Sequence, residues 1–152
     1  MLSQLKPIIP GAGHWPAFLR NRSEQFEARL GLLEVVESPS LFLRGMAGSR
    51  IPVSVAHGEG RPEFDSPVDA AAARVSLRFV EGDGQAATSY PANPNGSPNA
   101  VAGLTTDDGR VTILMPHPER TPRTVNFSWA PADWPADSPW LRMFRNARAA
   151  LG

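Results

Sequence analysis

Apolar positions along this chain recur in short blocks, each broken by proline or glycine before it reaches helical length. The run over residues 28–36, rich in Leu and closed by a Val pair, predicts a strand that stops at Ser38-Pro39-Ser40. Residues 41–43 predict a second, short strand. Ile51-Pro52-Val53-Ser54-Val55-Ala56 is β-branched and nearly all apolar, as expected of a strand buried on both faces, and it stops at His57-Gly58-Glu59-Gly60. Residues 75–80 and 85–90 predict a hairpin across Glu81-Gly82-Asp83-Gly84, and residues 101–105 and 110–115 a second one around Asp107-Asp108-Gly109.

Helical signals are fewer. Ser66 before Pro67, Asp69 and a run of alanines is a helix start with its cap, its first-turn proline and its first-turn acid. Ser138 and Pro139 open a final helix with Trp140, Phe144, Ala147 and Leu151 on one stripe and Gly152 as its stop. Residues 1–5 predict the last turn of a helix, ended by Pro7. A chain that opens in mid-helix without a cap is expected to be a fragment. The segment 91–99 is too turn-rich for regular structure. These elements predict an α/β or mixed α+β fold in one domain spanning residues 1–152.

Composition narrows the function. Lys plus Arg equals Asp plus Glu at 15 each, so no global field draws the chain to nucleic acid or to an anionic membrane. The apolar runs are too short to cross a bilayer, and the N-terminal residues do not resemble a signal peptide. A cytoplasmic setting is expected. Sixteen prolines and thirteen glycines, scattered in small clusters, predict many loops between short elements. The sequence holds no cysteine, so disulfides, thiolate metal sites and a cysteine nucleophile are excluded within it.

Two loops carry candidate chemistry. In Met115-Pro116-His117-Pro118-Glu119-Arg120 the prolines hold the backbone extended, and side chains two positions apart then share a side. A carboxylate beside an imidazole can orient it to take a proton from a nucleophile. The alternative is a turn with a solvated His117 and an ion pair from Glu119 to Arg120. In His57-Gly58-Glu59-Gly60 the glycines allow a ligand close to the backbone; the alternative is an ordinary strand exit. His14 reads as a loop histidine. Arg142, Arg145 and Arg148 read as a hydrated stripe, and Trp129, Trp134 and Trp140 as packing residues. Phosphate-loop, zinc and serine-elbow motifs are absent.

Four segments in order carry a resemblance: Asn21 to Arg29, Val55 to Arg61, Tyr90 to Ser97, and Met115 to Arg120. Together they resemble the C-terminal glutaminase domain of phosphoribosylformylglycinamidine synthase, a class I amidotransferase domain of flavodoxin-like fold. The tail from Ser138 to Arg148 is similar to the long, single-chain bacterial form. The resemblance implies glutamine hydrolysis, with ammonia passed to a synthetase site where ATP and Mg2+ drive amidation of formylglycinamide ribonucleotide. It implies His117 as general base and acid, Glu119 as its orienting partner, and His57, Gly58 and Glu59 against bound glutamine. It implies no cofactor in this chain and a synthetase part of the same polypeptide as its partner.

The family's nucleophile is a cysteine on a strand-to-helix elbow, and the resemblance places it upstream of Met1. The expectation is therefore a C-terminal fragment with an incomplete sheet, inactive alone and prone to dimerise, swap or melt easily. A non-enzymatic, amidotransferase-like interaction module and an amidotransferase serving another acceptor are the competing readings.

Overall fold

The computed structural model describes residues 2–152, and the mixed α/β class expected from the sequence is what it shows. The larger sheet has five strands: β2 (Glu27–Val35), β3 (Arg50–His57), β5 (Arg74–Phe79), β6 (Val101–Thr105) and β7 (Thr112–Leu114), in the order β3-β2-β5-β6-β7. A two-stranded ribbon pairs β1 (Ala17–Arg20) with β4 (Glu59–Glu63). All of these pairings are antiparallel. The helices are α1 (Pro67–Ala72) and α2 (Leu141–Leu151). Among the described residues no helix is long and apolar enough to cross a membrane.

Apolar side chains gather in two clusters. Leu33, Val53, Leu77 and Phe79 pack with Trp140 and Met143 beneath α2. Trp15, Val101, Leu104 and Ile113 form the second cluster with the N-terminal loop. The strand buried throughout is therefore β6, which sends Ala102 to the first cluster and Val101 and Leu104 to the second. In β3 the expectation is only half met. Ile51, Val53, Val55 and His57 are buried, while Pro52, Ser54 and Ala56 on the other face are half-covered.

Several sequence expectations need correcting. The helix end over residues 1–5 falls partly outside the described residues, and Leu2–Leu5 form one 3-10 turn. Residues 41–43 are not a strand. Gly45 and Gly48 adopt left-handed φ of 69° and 78°, and the segment winds through turns that still bury Leu43 and Met46. The partner of β5 over residues 85–90 is reduced to one bridge, Val80 to Ala86, because the Asn93 amide donates to the Ala87 carbonyl and draws the chain into a turn. The ribbon β1–β4 was not anticipated, since Gly60 and Pro62 in β4 read as loop residues. In α2 the packed face runs through Trp140, Met143 and Asn146, whose amide donates to the Phe42 and Arg44 carbonyls. Phe144 and Leu151 of the expected stripe are exposed.

The anticipated start of α1 is present, with Ser66 Oγ accepting from the Asp69 N–H at 3.1 Å and Pro67 in the first turn. Trp140 is the deepest anchor of the C-terminal segment. It is fully buried, and its Nε1–H donates to the Pro52 carbonyl at 2.7 Å. Trp140→Ala is expected to cost about 3–5 kcal/mol in denaturant unfolding through the cavity and the orphaned carbonyl. Leu151→Ala, at a residue 88% exposed, is expected to change stability by less than about 0.5 kcal/mol.

Candidate functional site

His117 follows β7 and is tied to β3, its N–H donating to the Ser54 carbonyl at 2.7 Å. Immediately afterwards Pro118–Arg120 close a 3-10 turn. This turn, rather than the extended backbone expected, brings the two side chains together. His117 Nδ1 lies 2.6 Å from Glu119 Oε1, whereas Arg120 Nε is 4.0 Å from the same oxygen. The carboxylate's close partner is thus the imidazole, and the arginine sits at the limit of an ion pair. Facing a carboxylate, Nδ1 carries its hydrogen and Nε2 is left as the basic nitrogen. The pair is open to solvent, with side-chain exposures of 27% for His117 and 54% for Glu119.

His57 ends β3 and is buried opposite Glu27 of β2. Its ring centroid is 6.1 Å from that of His117, so the two loops singled out in the sequence converge. His57 Nε2 donates to Asn95 Oδ1 at 2.9 Å, and the Asn95 amide donates to the Gly60 carbonyl at 3.0 Å. From the other side Asn21 holds the same loop. Its N–H donates to the Gly58 carbonyl at 2.9 Å and its amide to the His57 carbonyl at 2.8 Å. The carbonyls of residues 57, 58 and 60 are therefore engaged internally. Gly58 faces open space, and Glu59 is exposed at the start of β4.

Asn21 and Asn95 were not given a role from sequence, although both lie in segments that carried the resemblance. The available signal was asparagine amid Gly and Pro, where its amide clamps backbone groups. Glu27 is also buried, held by Ser23 Oγ at 2.7 Å and Arg29 Nε at 3.1 Å. His14, read as a loop residue, is half-buried with Nε2 unpartnered among the described residues.

The glycine at 60 is a steric requirement of this lock. A Cβ there would stand 2.4 Å from His57 Nε2 and 2.7 Å from the Asn95 amide nitrogen. Gly60→Ala is expected to destabilise the fold by about 1–3 kcal/mol, as overpacking of a buried site does, measured by thermal or denaturant unfolding.

Burial pushes the His57 pKa below its ordinary value. The Asn95 hydrogen bond opposes that shift, and a charge on His117 would reinforce it. In the window below the ordinary value of about 6.5 the unfolded chain binds a proton that the folded chain resists. Stability from the neutral ring is therefore complete above that pH and is lost as pH falls toward the depressed folded value. The melting temperature should drop on acidification through this window, and His57→Gln should flatten the dependence there.

Residues 1–149 match the model of the CobB/CobQ-like glutamine amidotransferase domain. The chain is also similar to a chain in the structure of PurLQS from Thermotoga maritima, at 25% identity and a TM-score of 0.66. The alignment covers 90% of this chain and 53% of that one, so this chain spans about half the length of that relative. Since the family match runs over nearly every residue and the loops it spans converge on a paired imidazole and carboxylate, the chain belongs to the CobB/CobQ-like glutamine amidotransferase domain family.

Proposed function

We propose that this chain carries the proton-transferring half of a glutamine-hydrolysing site. The ammonia released there would serve the ATP-dependent amidation of formylglycinamide ribonucleotide in purine biosynthesis, as in phosphoribosylformylglycinamidine synthase. The observation that carries the reading is the 2.6 Å contact between His117 Nδ1 and Glu119 Oε1. With Nδ1–H donated to the carboxylate, the lone pair of His117 Nε2 is free to take a proton from a thiol.

The resulting thiolate attacks the side-chain amide carbon of glutamine. The C–N bond breaks as the imidazolium returns its proton to the departing nitrogen, giving ammonia and a glutamyl thioester. Water, deprotonated by the same Nε2, then releases glutamate and restores the thiol. Glu119 keeps the ring in one tautomer and stabilises the imidazolium as it forms. Gly58, with open space over it, would let glutamine approach the backbone beside His57 and Glu59.

The 152 residues contain no cysteine, so the thiolate has to come from outside them. ATP and Mg2+ belong to the later amidation and are assigned to a synthetase part outside these residues. Among the described residues no group of three or more His, Asp or Glu side chains is placed to hold a metal.

The 152-residue chain alone should release no glutamate from glutamine. Supplied with a cysteine-bearing amidotransferase segment, fused or in trans, it should do so. His117→Ala should then lower kcat about 10²–10⁴-fold, with Glu119→Gln lowering kcat more than it raises KM. Unchanged turnover in His117→Ala would end this assignment, and failure of the complemented chain to turn over would favour a non-enzymatic interaction module.

A further inference from the structure

A second cleft, of 540 Å³, opens between β5 and the 86–100 loop and is lined by Arg22, Arg78, Thr88, Ser97 and Asn99 among others. Among the described residues that line it none is acidic. Neither arginine side chain has a hydrogen bond or an ion pair among the described residues. Arg78 stands opposite Glu34 of β2 without forming an ion pair with it, and its Nε is buried and unpartnered. It also borders a neighbouring cleft, but Asp107 there is taken by Arg74 at 2.7 Å. The stem of Arg22 lies across Gly96: a Cβ on that glycine, whose φ is +69°, would stand 2.7 Å from Arg22 Cβ and 3.5 Å from its Nε. The bare glycine therefore seats the side chain.

The third polar group is Ser97, 4% exposed, whose Oγ has no partner among the described residues. Its backbone N–H is held by Asn93 Oδ1 at 2.9 Å and its carbonyl by the Asn93 amide at 2.9 Å, which leaves the hydroxyl as its unused group. The next turn holds Asn99 and Ala100 at positive φ of 51° and 57°, a conformation that side-chain-bearing residues keep only when their surroundings impose it. Two cations of like sign facing one cleft, with a buried hydroxyl and no carboxylate, form an arrangement that an anion would stabilise.

We propose that this cleft binds a phosphate-class oxyanion, with Arg22, Arg78 and Ser97 Oγ as donors from three separate segments. Three donors lining one cleft can be shared among the several oxygens of a tetrahedral phosphate, and a guanidinium fork matches phosphate oxygens bidentately. The site is independent of His117 and Glu119, and its test needs no glutamine hydrolysis.

Inorganic phosphate and AMP are titrated into the 152-residue chain at constant ionic strength, followed by 31P NMR. Saturable binding is expected, weakened at least tenfold in Arg22→Gln and in Arg78→Gln and unchanged in Arg148→Gln. Arg22 is exposed, so its substitution tests the site without disturbing the core; for Arg78→Gln, an unchanged ligand-free melting temperature gives the same assurance. Tighter binding of AMP than of phosphate identifies a nucleotide phosphoryl group as the ligand, and the reverse identifies free phosphate. Absence of saturable binding, equal affinity in wild type and Arg22→Gln, or equally tight binding of succinate would overturn the proposal.

Discussion

A buried imidazole at the end of a strand has to be hydrogen-bonded or it destabilises the fold that contains it. His57 meets that requirement at Nε2 through Asn95, its buried Nδ1 having no partner among the described residues, and Asn95 in turn holds Gly60. Asn21 closes the ring from the opposite side by holding the carbonyls of residues 57 and 58. Three segments distant in sequence are thereby fixed to one another through side-chain amides, which add to the β1–β4 pairing beside Asn21 and to the Arg22 N–H donating to the Asn95 carbonyl. The rest of the candidate site stands on this frame. His117 hangs from β3 by its own backbone, three residues before His57, and the two rings meet at 6.1 Å.

The two histidines occupy opposite electrostatic situations. His57 is held neutral by burial and serves as a structural post. His117 is partly exposed, with Nδ1 against a carboxylate that is itself open to water. A proton-transferring group needs the second environment and a positioning group tolerates the first. Glu27 repeats the pattern for acids, being buried but satisfied by Ser23 and Arg29 while Glu119 stays open. The proposed division of labour thus follows from how much water each side chain keeps.

Much of the fold was legible where a periodicity or a cap was strong. The strand across residues 28–36 was found within one residue at each end, as was the start of α1, because apolar runs and Ser-Pro caps act locally. The stripe on α2 was misread because four-residue spacing from Trp140 looks as good in sequence as three-residue spacing. Only the fit of Met143 and Asn146 against the sheet and the 41–46 turns selects between them. Residues 41–43 failed for the related reason that apolar content does not distinguish a strand from a turn held shut by Gly45 and Gly48.

By itself, the amino-acid sequence determined which residue types are present for chemistry. It holds an imidazole and a carboxylate two positions apart between prolines, glycines beside His57, and no sulfur nucleophile. It also carried the four segments by which the family was recognisable. The tertiary structure decided what meets what. The 3-10 turn brings Glu119 onto Nδ1, Asn21 and Asn95 reach across the chain to lock the His57 loop, and Arg22 joins Arg78 and Ser97 around one cleft. The first of these is local but needs a turn that the sequence pattern did not reveal. The other two depend on loop closure between residues tens of positions apart, and their geometry is set by the packing of the sheet, which no local pattern encodes.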